Sequence, residues 1–111
     1  VAPPGLTTQS MGNYWGWYLG EGVVSDDPYA TPLKAQNLAN LPPAIILTAE
    51  YDPLYCDGVE YAARLRAASV PVTYHCAARL IHGFLRCRLT GQRSAAAFAA
   101  MTGFLRERFA I

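Results

Sequence analysis

Leu41-Pro42-Pro43-Ala44-Ile45-Ile46-Leu47-Thr48-Ala49-Glu50-Tyr51-Asp52-Pro53-Leu54 is the stretch that decides the fold. Its centre, Ala44 to Ala49, is a short, nearly continuous apolar run with prolines before it and an Asp-Pro turn after it. A strand buried on both faces has this composition, and such strands belong to parallel sheets covered by helices.

Downstream of that strand, Val59, Ala62, Leu65 and Ala68 recur at spacings of three, which predicts an amphipathic helix over Asp57 to Ala68. Asp57 is its expected N-cap, and Arg64 and Arg66 are expected to face solvent. Val70 to Cys76 then reads as a second strand, with Pro71 confined to its start. Ser94 to Phe109 reads as a last helix, with Phe98, Met101, Leu105 and Phe109 on one side, joined by Ala97 and Phe104. Strand, helix, strand, helix is the α/β unit, and a right-handed crossover sets the two strands parallel. Two strands are too few to cover a run as apolar as Ile45 to Ala49, so the sheet is expected to be incomplete.

Upstream, Val1 to Thr8 should be an irregular lead-in. Ser10 is the expected cap of a helix through Leu19, with Met11, Tyr14, Trp15, Tyr18 and Leu19 at helical spacing and Gly20 and Gly22 closing it. From Glu21 to Pro43 the prolines Pro28, Pro32, Pro42 and Pro43 predict loop, with one helical turn near Lys34 to Leu38. The chain therefore divides into residues 1–43, an aromatic helix and Pro-rich loop, and residues 44–111, the strand-helix-strand-helix unit.

A composition of 52% hydrophobic and 15% charged residues is that of a globular domain, not a disordered chain. The formal net charge is +1, and no basic cluster offers a footprint for nucleic acid or an anionic membrane. The longest apolar stretch, Leu41 to Ala49, is far short of the ~20 residues of a membrane span. The chain opens on Val1 without a basic start or an apolar leader, so its start reads as cut, with further sequence expected upstream. Cys56, Cys76 and Cys87 cannot all pair, which fits free thiols in the cytoplasm. His75, Cys76, His82 and Cys87 are ligand-type side chains, but His75 and Cys76 are adjacent on a strand and point to opposite faces, so no metal site is expected.

The chemistry should lie at the strand ends. Loops leaving parallel strands open on one edge, where α/β proteins assemble their sites. Asp52 follows the first predicted strand by three residues and His82 sits in the loop after the second. Adjacent strands lie about 4.8 Å apart, so the two side chains can meet. A carboxylate bonded to one imidazole nitrogen fixes the tautomer and stabilises the cation formed when the other nitrogen takes a proton. Taken singly, each has a plainer reading, Asp52 as a turn residue before Pro53 and His82 as a loop residue before Gly83.

Together these residues resemble the hormone-sensitive-lipase family of esterases. The similarity lies in the strand and acid loop ending in Asp52-Pro53-Leu54, the helix Gly58 to Ala68, the strand start Val70-Pro71-Val72 and the run Ile81-His82-Gly83-Phe84-Leu85. Tyr29-Ala30-Thr31-Pro32-Leu33 resembles the segment leading into that strand. The resemblance implies the C-terminal portion of an α/β-hydrolase fold, with Asp52 as triad acid and His82 as triad base. It further implies a serine carboxylic-ester hydrolase that acts on a small-molecule ester and needs no metal or organic cofactor. Trp15, Trp17 and Tyr18 are candidates for an acyl pocket, the simpler reading being ordinary packing.

The chain also departs from the family pattern. Tyr55-Cys56-Asp57-Gly58 replaces an Arg-Asp-Glu-Gly-like run, Ser69 stands where a helix-ending glycine is usual, and Ala78-Arg79 stands where Pro-Gly is common. A left-handed backbone at Arg79 would be strained. The Gly-x-Ser-x-Gly elbow and the His-Gly-Gly run of the oxyanion hole are absent, Ser10 and Ser25 being the only serines before Asp52. The chain alone is therefore expected to be inactive. The alternative role is a truncated, inactive hydrolase serving as an interaction module, either a homodimer or a partner for a missing N-terminal half.

Overall fold

The computed structural model describes residues 5–111, so the expected lead-in from Val1 lies partly outside the described residues. Helix α1 spans Thr8–Leu19, and its cap is Thr7, not Ser10. Thr7 is extended, its Oγ1 accepts from the Ser10 N–H at 3.1 Å, and the Ser10 Oγ accepts from the Thr7 N–H at 2.9 Å. This reciprocal capping box uses Ser10 inside the first turn, which begins the helix three residues earlier than a Ser10 cap would. Gly20, with φ 102°, ends it.

The Pro-rich segment is irregular, as its composition predicts, with a 3₁₀ turn at Pro32–Lys34 in place of a helical turn at Lys34 to Leu38. Asp26 anchors it: its carboxylate lies 2.6 Å from Lys34 Nζ, which also donates to the Ser25 carbonyl at 2.9 Å. That hydrogen bond and the Lys34 charge hold the Asp26 carboxyl below the usual carboxylate range.

Strand β1 (Ala44–Tyr51) and strand β2 (Val72–Ile81) pair in parallel, joined by helix α2 (Tyr55–Ala67). Both strands run further than their apolar cores, so Asp52 and His82 follow them directly. Helix α2 starts two residues before Asp57, which occupies the first turn and is not the cap. Its negative charge there still suits the positive end of the helix. Helix α3 (Gln92–Phe109) follows a 3₁₀ turn at Phe84–Cys87 and packs on β2 and β1. Its predicted apolar side is only partly covered: Ala97 is buried, whereas Phe109 is 70% exposed.

The sheet face that meets α2 carries Ile46 and Thr48. A Cβ on Gly58 would lie 2.4 Å from Thr48 Cγ2, so the helix can sit this close only because residue 58 is glycine. Leu38, Leu65 and Val70 form the buried cluster, with Ile46, Tyr61 and Val72 packed against it. Thr48 is buried beneath, its hydroxyl 2.8 Å from that of Tyr74. A hydrogen bond with the same Tyr74 phenol pushes the ionisation of Tyr55 above the usual tyrosine range.

The end of α2 is built by a Schellman motif. The Val70 N–H donates to the Leu65 carbonyl at 3.0 Å and the Ser69 N–H to the Arg66 carbonyl at 2.9 Å. Ser69 takes the left-handed position, φ 61°, that favours glycine, and Leu65 and Val70 make the apolar contact that usually accompanies the motif. Arg64 does not face solvent as its place opposite the apolar stripe suggests. Its guanidinium donates to the Leu33 and Ala35 carbonyls and ties the 3₁₀ turn to α2, a pairing across distant parts of the chain that helical periodicity does not reveal.

Among the described residues, two strands and three α-helices leave much surface open. The accessible area is 7995 Å², against about 6000 Å² for a compact monomer of this mass. The radius of gyration is 15.6 Å, against roughly 13 Å for a compact domain of this length. No residue of α1 is buried: Trp17 is 77% and Tyr18 70% exposed.

Candidate active site

Asp52 is fixed by its own turn. Its Oδ1 accepts from the Leu54 N–H at 2.9 Å and its carbonyl accepts from the Tyr55 N–H at 3.0 Å, with Pro53 between them. Pro53 presets the backbone for such a turn, and an Asp side chain bonding two residues onward closes it. The plain turn reading of Asp52 is thus correct for one oxygen, and the other oxygen is left to point elsewhere.

That second oxygen, Oδ2, lies 2.8 Å from His82 Nδ1, with the two residues 30 positions apart in sequence. The Asp52 side chain is 10% exposed and that of His82 46%. In the tautomer carrying the proton on Nδ1 the imidazole donates to the carboxylate, and the lone pair of Nε2 is the basic site. Gly83, with φ 81°, turns the chain immediately after His82 in a left-handed conformation that glycine adopts without strain.

The pair borders a cavity of about 780 Å³. Thr31 to Lys34 form one wall, the strand end Leu47 to Ala49 another, and Leu54, Tyr61, Phe84 and Leu85 close it with mainly apolar surface. Trp15 reaches this cavity from α1, whereas Trp17 and Tyr18 do not line it. Tyr18 stacks edge-on to Trp15 with ring centroids 6.4 Å apart. Lys34 and Asp57 also line the cavity and were not legible as such, because the turn holding Lys34 comes to the site only through the Arg64 contacts. Phe84 and Leu85 follow His82 after Gly83 alone, and this closeness in sequence is the signal that places them.

Among the described residues no group of three His, Cys, Asp or Glu side chains is placed to hold a metal ion. His75 and Cys76 sit mid-strand, opposite Leu47 and Thr48 of β1, away from His82. All three cysteines are free thiols. No helix of the described residues is long and apolar enough to cross a membrane.

A parallel strand pair with an acid turn after one strand and a histidine after the next, opening on one cavity, defines a class of α/β enzyme fold. The sequence profile of the alpha/beta hydrolase fold matches residues 2–86, and the chain belongs to that family, among relatives of the hormone-sensitive-lipase type. Esterase LipI of Mycobacterium tuberculosis is 43% identical over 83 residues, covering 74% of this chain and 26% of that protein. Carboxylic ester hydrolase LipN of the same organism is 37% identical over 102 residues, covering 91% and 27%. Hormone-sensitive lipase of Bos taurus is 38% identical over 92 residues, covering 78% and 12%. Among solved structures, esterase LipW from Mycobacterium marinum aligns with a TM-score of 0.88 at 30% identity, over 97% of this chain and 34% of that one. The chain thus spans about a quarter of the length of LipI and LipN, at 26% and 27%.

Proposed function

We propose that Asp52 and His82 are the acid and base of a catalytic triad in a serine carboxylic-ester hydrolase, whose nucleophile and oxyanion donors come from residues outside this sequence. The contact of 2.8 Å between His82 Nδ1 and Asp52 Oδ2 carries the reading. The family membership supports it.

In this reaction Nε2 of His82 takes the proton of a serine hydroxyl as its oxygen attacks the ester carbonyl carbon. Asp52 stays ionised, holds the ring and stabilises the imidazolium. The imidazolium then protonates the departing alkoxide, and water, deprotonated by the same nitrogen, releases the acid. The apolar walls around Leu33, Tyr61 and Phe84 suit the hydrocarbon part of a small ester.

The 111 residues contain no Gly-x-Ser-x-Gly. The base and acid alone should therefore give negligible acyl transfer. The test is hydrolysis of a short-chain aryl ester by two proteins, the isolated chain and the whole protein that contains it. The whole protein should turn over and lose activity on His82→Ala, while the isolated chain should not. Activity of the whole protein that is indifferent to His82→Ala would defeat the assignment.

A second reading is supported by the large open surface and the exposed aromatic residues Trp17 and Tyr18 of α1. In it the chain is an inactive module that covers this face by dimerising or by docking a chain carrying the remaining fold. Size-exclusion chromatography tests this second reading, since a compact monomer would argue against partner dependence and a dimer would support it.

A further inference from the structure

The register of β1 and β2 changes just before the site. From Ala44 opposite Val72 to Ala49 opposite Ala77 each β2 partner lies twenty-eight positions on, but Tyr51 stands opposite Ile81, thirty positions on. Two extra residues of β2 are thus taken up between Ala77 and Ile81. Because the number is even, the faces of the strand keep their alternation while the chain gains two places. Continued in the first register, Leu80 would face Asp52. His82 would then lie about 6.6 Å further along the strand, at about 3.3 Å per residue, out of reach of the carboxylate.

The extra residues require a left-handed backbone at Arg79, φ 59°. The N–H of this residue donates to Glu50 Oε2 at 2.7 Å, in a charge-assisted bond of normal length. Glu50 and Asp52 are two residues apart at the end of β1, and both carboxylates reach across to β2, one to the bulge and one to the imidazole.

We propose that Glu50 is a positioning residue: its carboxylate fixes the two-residue bulge around Arg79 and so sets His82 opposite Asp52. Glu50 compensates a left-handed position that carries arginine where glycine would be relaxed. The catalytic part of the proposal rests on reading Asp52 and His82 as acid and base; the positioning part does not.

Long-range ¹H–¹⁵N spectra of the chain report which His82 nitrogen bears the proton, independently of any hydrolysis. The wild type should show the Nδ1–H tautomer. Glu50→Ala should show mixed tautomers and an Arg79 amide exchanging at least about tenfold faster, the loss of one protecting hydrogen bond. Glu50→Gln keeps an acceptor oxygen and should stay near the wild type, which also serves if Glu50→Ala fails to fold. Adding Arg79→Gly to Glu50→Ala should restore the single tautomer, because glycine holds the left-handed turn without the bond. In the whole protein Glu50→Ala should lower kcat about tenfold or more with KM little changed. The proposal is overturned by a wild type lacking the Nδ1–H tautomer, by a folded Glu50→Ala chain with unchanged His82 and Arg79 signals, by a Glu50→Gln chain that loses the tautomer, or by failure of Arg79→Gly to restore it. If the tautomer responds as expected but the whole protein hydrolyses no ester, the positioning role stands and the esterase reading fails.

Discussion

Asp52 divides its two carboxylate oxygens between neighbours, giving Oδ1 to the Leu54 N–H and Oδ2 to His82 Nδ1. The turn holds the carboxylate in place against the imidazole. Asp52→Asn retains an acceptor for Leu54 but offers His82 an amide, which can present N–H toward Nδ1 and favour the wrong tautomer. In the whole protein the expected loss in kcat is about 10³- to 10⁴-fold, with the fold intact by circular dichroism. An Asn variant with near-wild-type turnover would show that this carboxylate does not orient the base.

Gly58→Ala sets two effects against each other. Alanine in a helix interior gains about 1 kcal/mol over glycine. The new Cβ would, however, lie 2.4 Å from Thr48 Cγ2, and Thr48 is held by its hydrogen bond to Tyr74 and cannot easily rotate away. Overpacking costs of about 1–3 kcal/mol should win, leaving a net loss of roughly 1 kcal/mol. A lower urea midpoint at unchanged m-value is the expected result; a higher midpoint would mean that α2 can lift off the sheet at no cost.

Ser69→Gly should act in the opposite direction. A left-handed residue other than glycine costs about 1–2 kcal/mol, and glycine returns about 0.4–1 kcal/mol of that gain through the greater freedom of its unfolded chain. The Schellman bonds at Val70 and Ser69 use backbone atoms alone and survive the change. We expect a gain of roughly 0.5–1 kcal/mol, read as a raised thermal midpoint. An unchanged or lowered midpoint would show that Ser69 makes a compensating interaction.

The Asp26 carboxyl is held low by Lys34. A depressed folded-state value contributes stability that is present above the ordinary carboxylate range and is lost as pH falls through the depressed value. Both groups face water, so this is a local tether of the turn beside the cavity and not a source of global stability. Carboxyl NMR shifts should show Asp26 titrating at lower pH in the wild type than in Lys34→Ala. Identical curves would remove the tether.

The α/β order, the two parallel strands and the residues that meet at their ends were legible in the sequence because each is a local pattern. An apolar run of strand length, a period near 3.6, and Asp-Pro and His-Gly turns need no knowledge of distant chain. The left-handed demand at Arg79 came from the family resemblance instead, in which Ala78-Arg79 stands where Pro-Gly is common, and the residue has φ 59° within the bulge of β2. The helix caps were misplaced where two local solutions competed: Thr7 and Ser10 can each begin α1, and only the reciprocal bonds between them decide.

Sequence alone thus determined which side chains lie near the strand ends. Tertiary structure decided the step in register that brings His82 to Asp52, the Glu50 contact behind it, and the Arg64 bonds that carry Leu33 and Lys34 to the cavity. The reason is physical: strand and helix periodicities are fixed by backbone geometry and repeat along the chain, whereas register and cavity walls depend on pairs such as Glu50 and Arg79, 29 positions apart, whose contact exists only once the strands have paired.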